Sequence, residues 1–173
     1  MAQYGYLISR NTKAILAHDS PYYKARIFER EEPENVIKSP QVILEENCII
    51  YGSSLHGRRE SVKKLLGLKY KVPIPVDPKK DVFFFPTAAS RNKDCVWLAY
   101  YQIQNFREEG DRLKVQFLDG TCLLINVSLH AFSQQYLKTA QVITMMSRPS
   151  FYDHTQPFTS VKLDLLSFFR KKY

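Results

Sequence analysis

Leu113-Lys114-Val115-Gln116-Phe117-Leu118-Asp119-Gly120-Thr121-Cys122-Leu123-Leu124-Ile125-Asn126-Val127-Ser128 is the stretch whose reading decides the fold class. Apolar and polar residues alternate on the near side of Asp119-Gly120, a dipeptide suited to a type I′ turn because both central residues of that turn need positive φ. A β-hairpin is predicted over Leu113–Leu118 and Thr121–Val127. In the register of a two-residue turn, Leu113, Val115, Phe117, Cys122 and Leu124 share one face, with Arg112, Lys114 and Gln116 on the other. Ser128 then stands as the N-cap of an amphipathic helix, with Leu129, Phe132, Tyr136, Ala140 and Ile143 recurring at helical spacing. A hairpin feeding an amphipathic helix points to the α+β class, an antiparallel sheet of hairpins with inserted and C-terminal helices.

The same reading extends upstream. Tyr4–Ser9 and Ala14–His18 flank Arg10-Asn11-Thr12-Lys13 and predict an N-terminal hairpin. The acidic stretch Glu29–Glu34, with Pro33, reads as a surface loop. Ser39-Pro40 is a helix start, an N-cap followed by proline in the first turn, and that helix runs towards Tyr51 and stops at Gly52, although β-branched Ile49 and Ile50 equally allow a shorter helix followed by a strand. A second helix is expected from Ser54 to Leu66, closed by Gly67. Its apolar side carries Leu55, Val62, Leu65 and Leu66, and the opposite side Arg59, Lys63 and Lys64. Leu68–Val72 alternates as a strand, Pro73 and Pro75 restrict the adjoining segment to an edge or loop, and Asp77-Pro78-Lys79-Lys80 marks a turn. Val82–Phe85 and the aromatic-rich Cys95–Phe106 read as strands. Downstream, a peripheral last helix is expected over 159–173, beginning at about Ser160, within one domain spanning 1–173.

The chain has 173 residues, 45% hydrophobic and 24% charged, which suits one globular domain and argues against disorder. No apolar run approaches the roughly 18 residues of a membrane span, and the opening MAQYGYLISRNTK lacks the features of a signal peptide. A cytoplasmic protein is expected. Cys48, Cys95 and Cys122 are far apart and each is flanked by apolar residues, so they read as small buried side chains rather than as a zinc site or a disulfide framework.

The net charge is +8 and unevenly spread. Residues 29–46 hold six acids against two bases, 58–80 hold eight bases against two acids, and 148–173 hold five bases against two acids. A clustered basic balance of this kind is the electrostatic footprint of a nucleic-acid binder.

Catalytic readings fare worse. Gly52-Ser53-Ser54-Leu55-His56-Gly57-Arg58-Arg59 approaches the phosphate-binding loop pattern, but arginine occupies both the lysine position and the position of the metal-ligating hydroxyl. Cys48 and His56 lack a third orienting group. The histidines His18, His56, His130 and His154 are scattered, and Glu31-Glu32, Glu45-Glu46 and Glu108-Glu109 are adjacent pairs that diverge on a helix. No metal site, no cofactor and no enzymatic activity are expected. Trp97, Tyr100 and Tyr101 offer a different reading, an RNA or single-stranded nucleic-acid module that stacks bases on aromatic rings.

The ordered set CIIYGSSLHGRRE, KVPIPVDPKKDVFFFPT and CVWLAYYQIQNF resembles the central region of the competence transcription factor (ComK) family. Cys48, Tyr51, Gly52, Ser53, Ser54, Gly57, Arg58, Arg59, Pro73, Phe84, Phe85, Pro86, Thr87 and Trp97 carry the resemblance, which extends over roughly residues 4–140. The segment Pro149–Pro157 departs from it, with nothing like the degradation-adaptor motif of longer members. The resemblance implies a non-enzymatic transcriptional activator of DNA-uptake genes that reads paired A·T-rich boxes through the minor groove as an assembly of dimers. The implied partners are double-stranded DNA, further copies of the chain on that DNA, and RNA polymerase, at the nucleoid.

The residues themselves fit such a reader. The minor groove separates A·T from G·C and little else, and A·T runs narrow it and deepen the negative potential that attracts arginine. Arg58 and Arg59, beside two glycines, are the candidates for insertion. Lys63, Lys64, Lys69 and Lys71 are the candidates for flanking phosphates, which position a protein without reading sequence.

Overall fold

The computed structural model describes residues 5–29 and 32–147. In chain order these form β1 (Ala14–Ala17), β2 (Ala25–Phe28), β3 (Glu34–Val36), α1 (Pro40–Ile50), α2 (Leu55–Leu66), β4 (Ile74–Asp77), β5 (Val82–Pro86), β6 (Val96–Ala99), β7 (Ile103–Glu109), β8 (Arg112–Phe117), β9 (Cys122–Ile125) and α3 (Leu129–Met146). The strands make two antiparallel sheets, one of six in the order β3-β2-β1-β6-β5-β4 and one of three in the order β7-β8-β9. The α+β architecture expected from the sequence is therefore observed, and the helix expected from Ser160 lies outside the described residues.

The larger sheet is covered on both faces, which is why β4, β5 and β6 are buried at every position. On one face α1 packs Ile43, Leu44 and Cys48 against Ile15, Ile27, Phe84 and Trp97. On the other, Phe85, Val96 and Leu98 meet Leu113, Val115 and Phe117 of β8 and Phe132 of α3. A third cluster, Val62, Val72, Phe83, Val142 and Ile143, joins α2, the loop after it and α3. The helices start and stop where the sequence indicates: Ser39 caps α1, Ser54 caps α2, Ser128 caps α3, and Gly67 closes α2 with φ of 64°. Pro75 sits in β4, an outer strand of the sheet, where a missing N–H costs least.

Six expectations are corrected. Residues 5–9 form no strand opposite β1, because β1 is an inner strand already paired with β2 and β6. Instead Asn47 of α1 holds that segment, accepting from the Ile8 N–H at 2.8 Å and donating to the Tyr6 carbonyl at 2.9 Å. Leu68–Val72 is no strand either: Lys71 has φ of 47°, which breaks any extended run. Cys95–Phe106 is split, since a single 3-10 turn at Tyr100–Gln102 carries the chain from β6 in one sheet to β7 in the other. Glu34, expected in a loop, begins β3.

The fifth correction concerns the clearest hairpin. It forms, but its loop is three residues long: the Phe117 N–H donates to the Thr121 carbonyl, the Gly120 N–H donates to the Phe117 carbonyl, and Gly120 has φ of 83°. Gln116 thus faces Cys122, and Leu113 faces Ile125. One residue of slip turns a whole strand over. Leu123 and Ile125 point to the core, while Leu124 and Cys122 are exposed, so Cys122 is not the buried thiol expected. On α3 the stripe includes Phe132 and Ile143 as expected, but its other buried positions are Gln135, Thr139 and Val142 rather than Leu129 and Ala140.

A buried ammonium ties the two sheets together. Lys13, whose side chain is 2% exposed, donates to Asp119 Oδ2 at 2.7 Å and Thr121 Oγ1 at 2.9 Å, with its Nζ 5.6 Å from the Phe117 ring centre. The hydrogen bond from Lys13, then that from Thr121, hold the Asp119 carboxyl down at about 2.

Candidate nucleic-acid interface

The basic segment is organised by the corner between α1 and α2. Gly52, at φ of 87°, turns the chain out of α1, and the Ser54 hydroxyl accepts from the Gly57 N–H at 2.9 Å to start α2. A side chain at Gly57 would press on the Ser53 and Ser54 hydroxyls at about 3.1–3.2 Å, so this glycine makes room for the cap. The Glu45 carboxylate accepts from the Leu55 N–H at 2.8 Å and occupies the positive end of α2. Both glycines thus have work inside the corner.

Arg58 and Arg59 differ. Arg58 follows Leu55 by three residues and precedes Val62 by four, so it lies beside the buried stripe of α2. Its Nη2 donates to the Tyr51 carbonyl at 2.8 Å, and its Nε is buried without a hydrogen-bond partner among the described residues. Arg58 therefore ties α2 to the end of α1. Arg59, on the other flank and one turn before Lys63, donates no hydrogen bond among the described residues. Burial pushes the Cys48 thiol up to about 11, against the opposing pull of the nearby Arg58 and Arg59 guanidiniums. A thiol held protonated in this way is a poor nucleophile. His56 is exposed.

The lysines are spread over two elements. Lys63 pairs with Glu60 at 2.8 Å, and Lys64 is exposed in the last turn of α2, where both complement the helix dipole. Lys69 and Lys71 are exposed on the loop that returns to β4. Sequence reasoning missed a fifth lysine. Gln135 of α3, 1% exposed, donates from Nε2 to the Lys71 carbonyl at 2.6 Å, and its Oε1 accepts from Lys138 Nζ at 3.2 Å. Burial, then the charge of Lys71, lowers the Lys138 ammonium from its ordinary value. Only the fold brings α3 to this loop, so no local signal in the sequence links the two residues.

The aromatic rings are mostly spoken for. Trp97 is 1% exposed, and Tyr100 stacks on Tyr136 with ring centres 4.4 Å apart. Tyr101, 45% exposed, meets Phe83 and Tyr100 edge-on. Trp97 is thus not available to stack a base. Among the described residues no group of three or more His, Cys, Asp and Glu side chains is arranged to hold a metal ion, and no helix is long and apolar enough to cross a membrane.

The comparisons with known proteins agree with the sequence resemblance. The competence transcription factor of Bacillus subtilis (strain 168) is 30% identical over 121 residues, which cover 69% of this chain and 63% of that protein. The chain thus spans less than two thirds of that relative's length. No solved structure matches it. The ComK protein family matches residues 3–150, which include both sheets and all three described helices, and the chain belongs to that family.

Proposed function

We propose that this chain is a DNA-binding transcriptional activator of competence genes that selects A·T-rich boxes through the minor groove. The observation that carries the reading is the outer flank of α2, where Arg59 stands without a hydrogen bond to the described residues while Arg58 braces the corner that presents it. Arg59, with Arg58 behind it, is the charge for a narrow, strongly negative groove. Lys63, Lys64, Lys69 and Lys71 supply phosphate contacts on either side. The chain acts as a homodimer or larger assembly on its sites, contacts RNA polymerase, and works in the cytoplasm at the nucleoid. No catalysis is part of this function. The single-strand reading is weakened by the burial of Trp97 and the stacking of Tyr100 on Tyr136.

The test is fluorescence anisotropy on a duplex carrying two A·T-rich boxes, a G·C-rich duplex of equal length and a single strand. Between about 50 and 200 mM salt, a protein that neutralises roughly six phosphates loses on the order of a thousandfold in affinity. The reading expects that slope, clear A·T preference, and loss of the preference in the Arg58→Ala, Arg59→Ala double variant. A flat slope on every probe, or tighter binding to the single strand, overturns it.

A further inference from the structure

Five lysines among the described residues have carboxylate partners: Lys13, Lys38, Lys63, Lys93 and Lys114. The other seven, Lys71 and Lys138 among them, have none among those residues, and a single side chain links the Lys71 main chain to the Lys138 ammonium. The holding group is Gln135, a buried carboxamide whose nitrogen is bonded to the Lys71 backbone and whose oxygen is bonded to the Lys138 ammonium. The backbone at Lys71 adopts φ of 47°, a left-handed conformation in which a long side chain is strained. It is one of two such residues other than glycine among those described. Tyr70 beside it is 79% exposed, so the loop stands out from the surface on this side. Behind it, Val62, Val72, Val142 and Ile143 pack α2, the loop and α3 into one body. The Lys138 ammonium thus lies beside the main chain that carries the exposed Lys71 side chain, and neither lysine is bonded to a carboxylate among the described residues, a local excess of positive charge suited to an anion.

We propose that Lys71 and Lys138, positioned by Gln135, clamp a phosphate of the duplex backbone and extend the DNA interface from α2 across to α3. The proposal rests on the DNA-binding reading above and adds a residue from a helix that the basic segment does not contain. Phosphate suits two ammoniums because it offers several acceptor oxygens to point-like donors that impose no fixed fork geometry. The source of the phosphate is the duplex, since the exposed Lys64 and Lys69 lead along the chain from α2 to Lys71 and a duplex backbone offers successive phosphates to such a series.

The experiment uses the full chain and the A·T-rich duplex. Lys71→Gly removes the ammonium and keeps a residue at ease with positive φ, and Lys138→Gln removes the second. Each lysine lost lowers the slope of log K against log salt by about 0.9, so the double variant loses about 1.8. Raising salt fourfold then weakens the double variant about tenfold less than the wild type. The A·T over G·C ratio stays unchanged, because phosphate contacts carry no sequence information. Lys71→Gly also melts at or above the wild-type temperature, which a purely structural role for the Lys71 side chain does not allow. A double variant that folds and loses only the share of Lys71, about 0.9 or less, overturns the clamp, while A·T preference that persists leaves the groove reading standing. A wild type with no slope overturns both, and a slope lost only on single strands overturns the duplex as the source.

Discussion

The two sheets differ in how their sequences encode them. In the six-stranded sheet β5 and β6 are buried on both faces, and Val82–Pro86 and Val96–Ala99 read as unbroken apolar runs. In the three-stranded sheet β8 alternates strictly, with Leu113, Val115 and Phe117 inward and Arg112, Lys114 and Gln116 more open. A strand buried on both faces announces its presence but not its register, since both faces accept any apolar residue of suitable size. A strand buried on one face carries its register in the sequence, provided that the adjoining turn is read correctly. The β8–β9 hairpin shows how sharp that proviso is, because one extra loop residue exchanges Cys122 and Leu124 for Leu123 and Ile125 on the inner face.

The largest expected contrast between the sheets is in thiol reactivity. Cys122, on the exposed face of β9, reacts with a thiol reagent in the native protein, while Cys48 and Cys95 under the large sheet wait for unfolding. With stability near ~5 kcal/mol the protected thiols react about a thousandfold or more slowly. Stoichiometric labelling followed by mass spectrometry reads this directly, and labelling of Cys122 and the two core thiols at one rate breaks the assigned register. Next in size are truncations. Phe85→Ala, in the doubly covered sheet, is expected to cost about 3–5 kcal/mol, and Leu124→Ala less than about 0.5 kcal/mol, by urea unfolding. Equal costs would put Leu124 back on the inner face.

The smallest effect concerns the ion pair between the sheets. The Asp119 carboxyl is held at about 2, below its ordinary value near 4, so its contribution to stability is full above pH ~4 and lost as pH falls through about 2. In an Asp119→Asn variant the stability deficit relative to wild type is therefore constant at neutral pH and shrinks between about pH 4 and 2. A deficit independent of pH over that interval would separate Asp119 from Lys13.

Much of the fold could be read from local chemistry, and the failures share a cause. Ser39-Pro40, Ser54, Gly67 and Ser128 mark helix ends because caps act within four residues. Pro75 points to an outer strand on equally local grounds, its missing N–H. The N-terminal hairpin failed because β1 prefers partners on β2 and β6, and because the distant Asn47 captures the Tyr6–Ile8 backbone. A single strand over Cys95–Phe106 misses the 3-10 turn, whose apolar flanks look alike in sequence but belong to different sheets. At the candidate interface, the charge of α2 was visible in the sequence. The different settings of the neighbours Arg58 and Arg59, and the approach of Lys138 to Lys71, depend on packing between elements and were not.

Lys13 and Asp119, whose ion pair closes the gap between the sheets, stand 106 residues apart in the chain. During synthesis at roughly 5–20 residues per second, Lys13, just ahead of β1, is therefore made several seconds before its salt-bridge partner. Its neighbour β6 is also made later, so the first strand has one edge open while α1 and α2 leave the ribosome. The order of synthesis therefore differs from the layout, since the helical corner is made before β6, the strand that completes the middle of the main sheet.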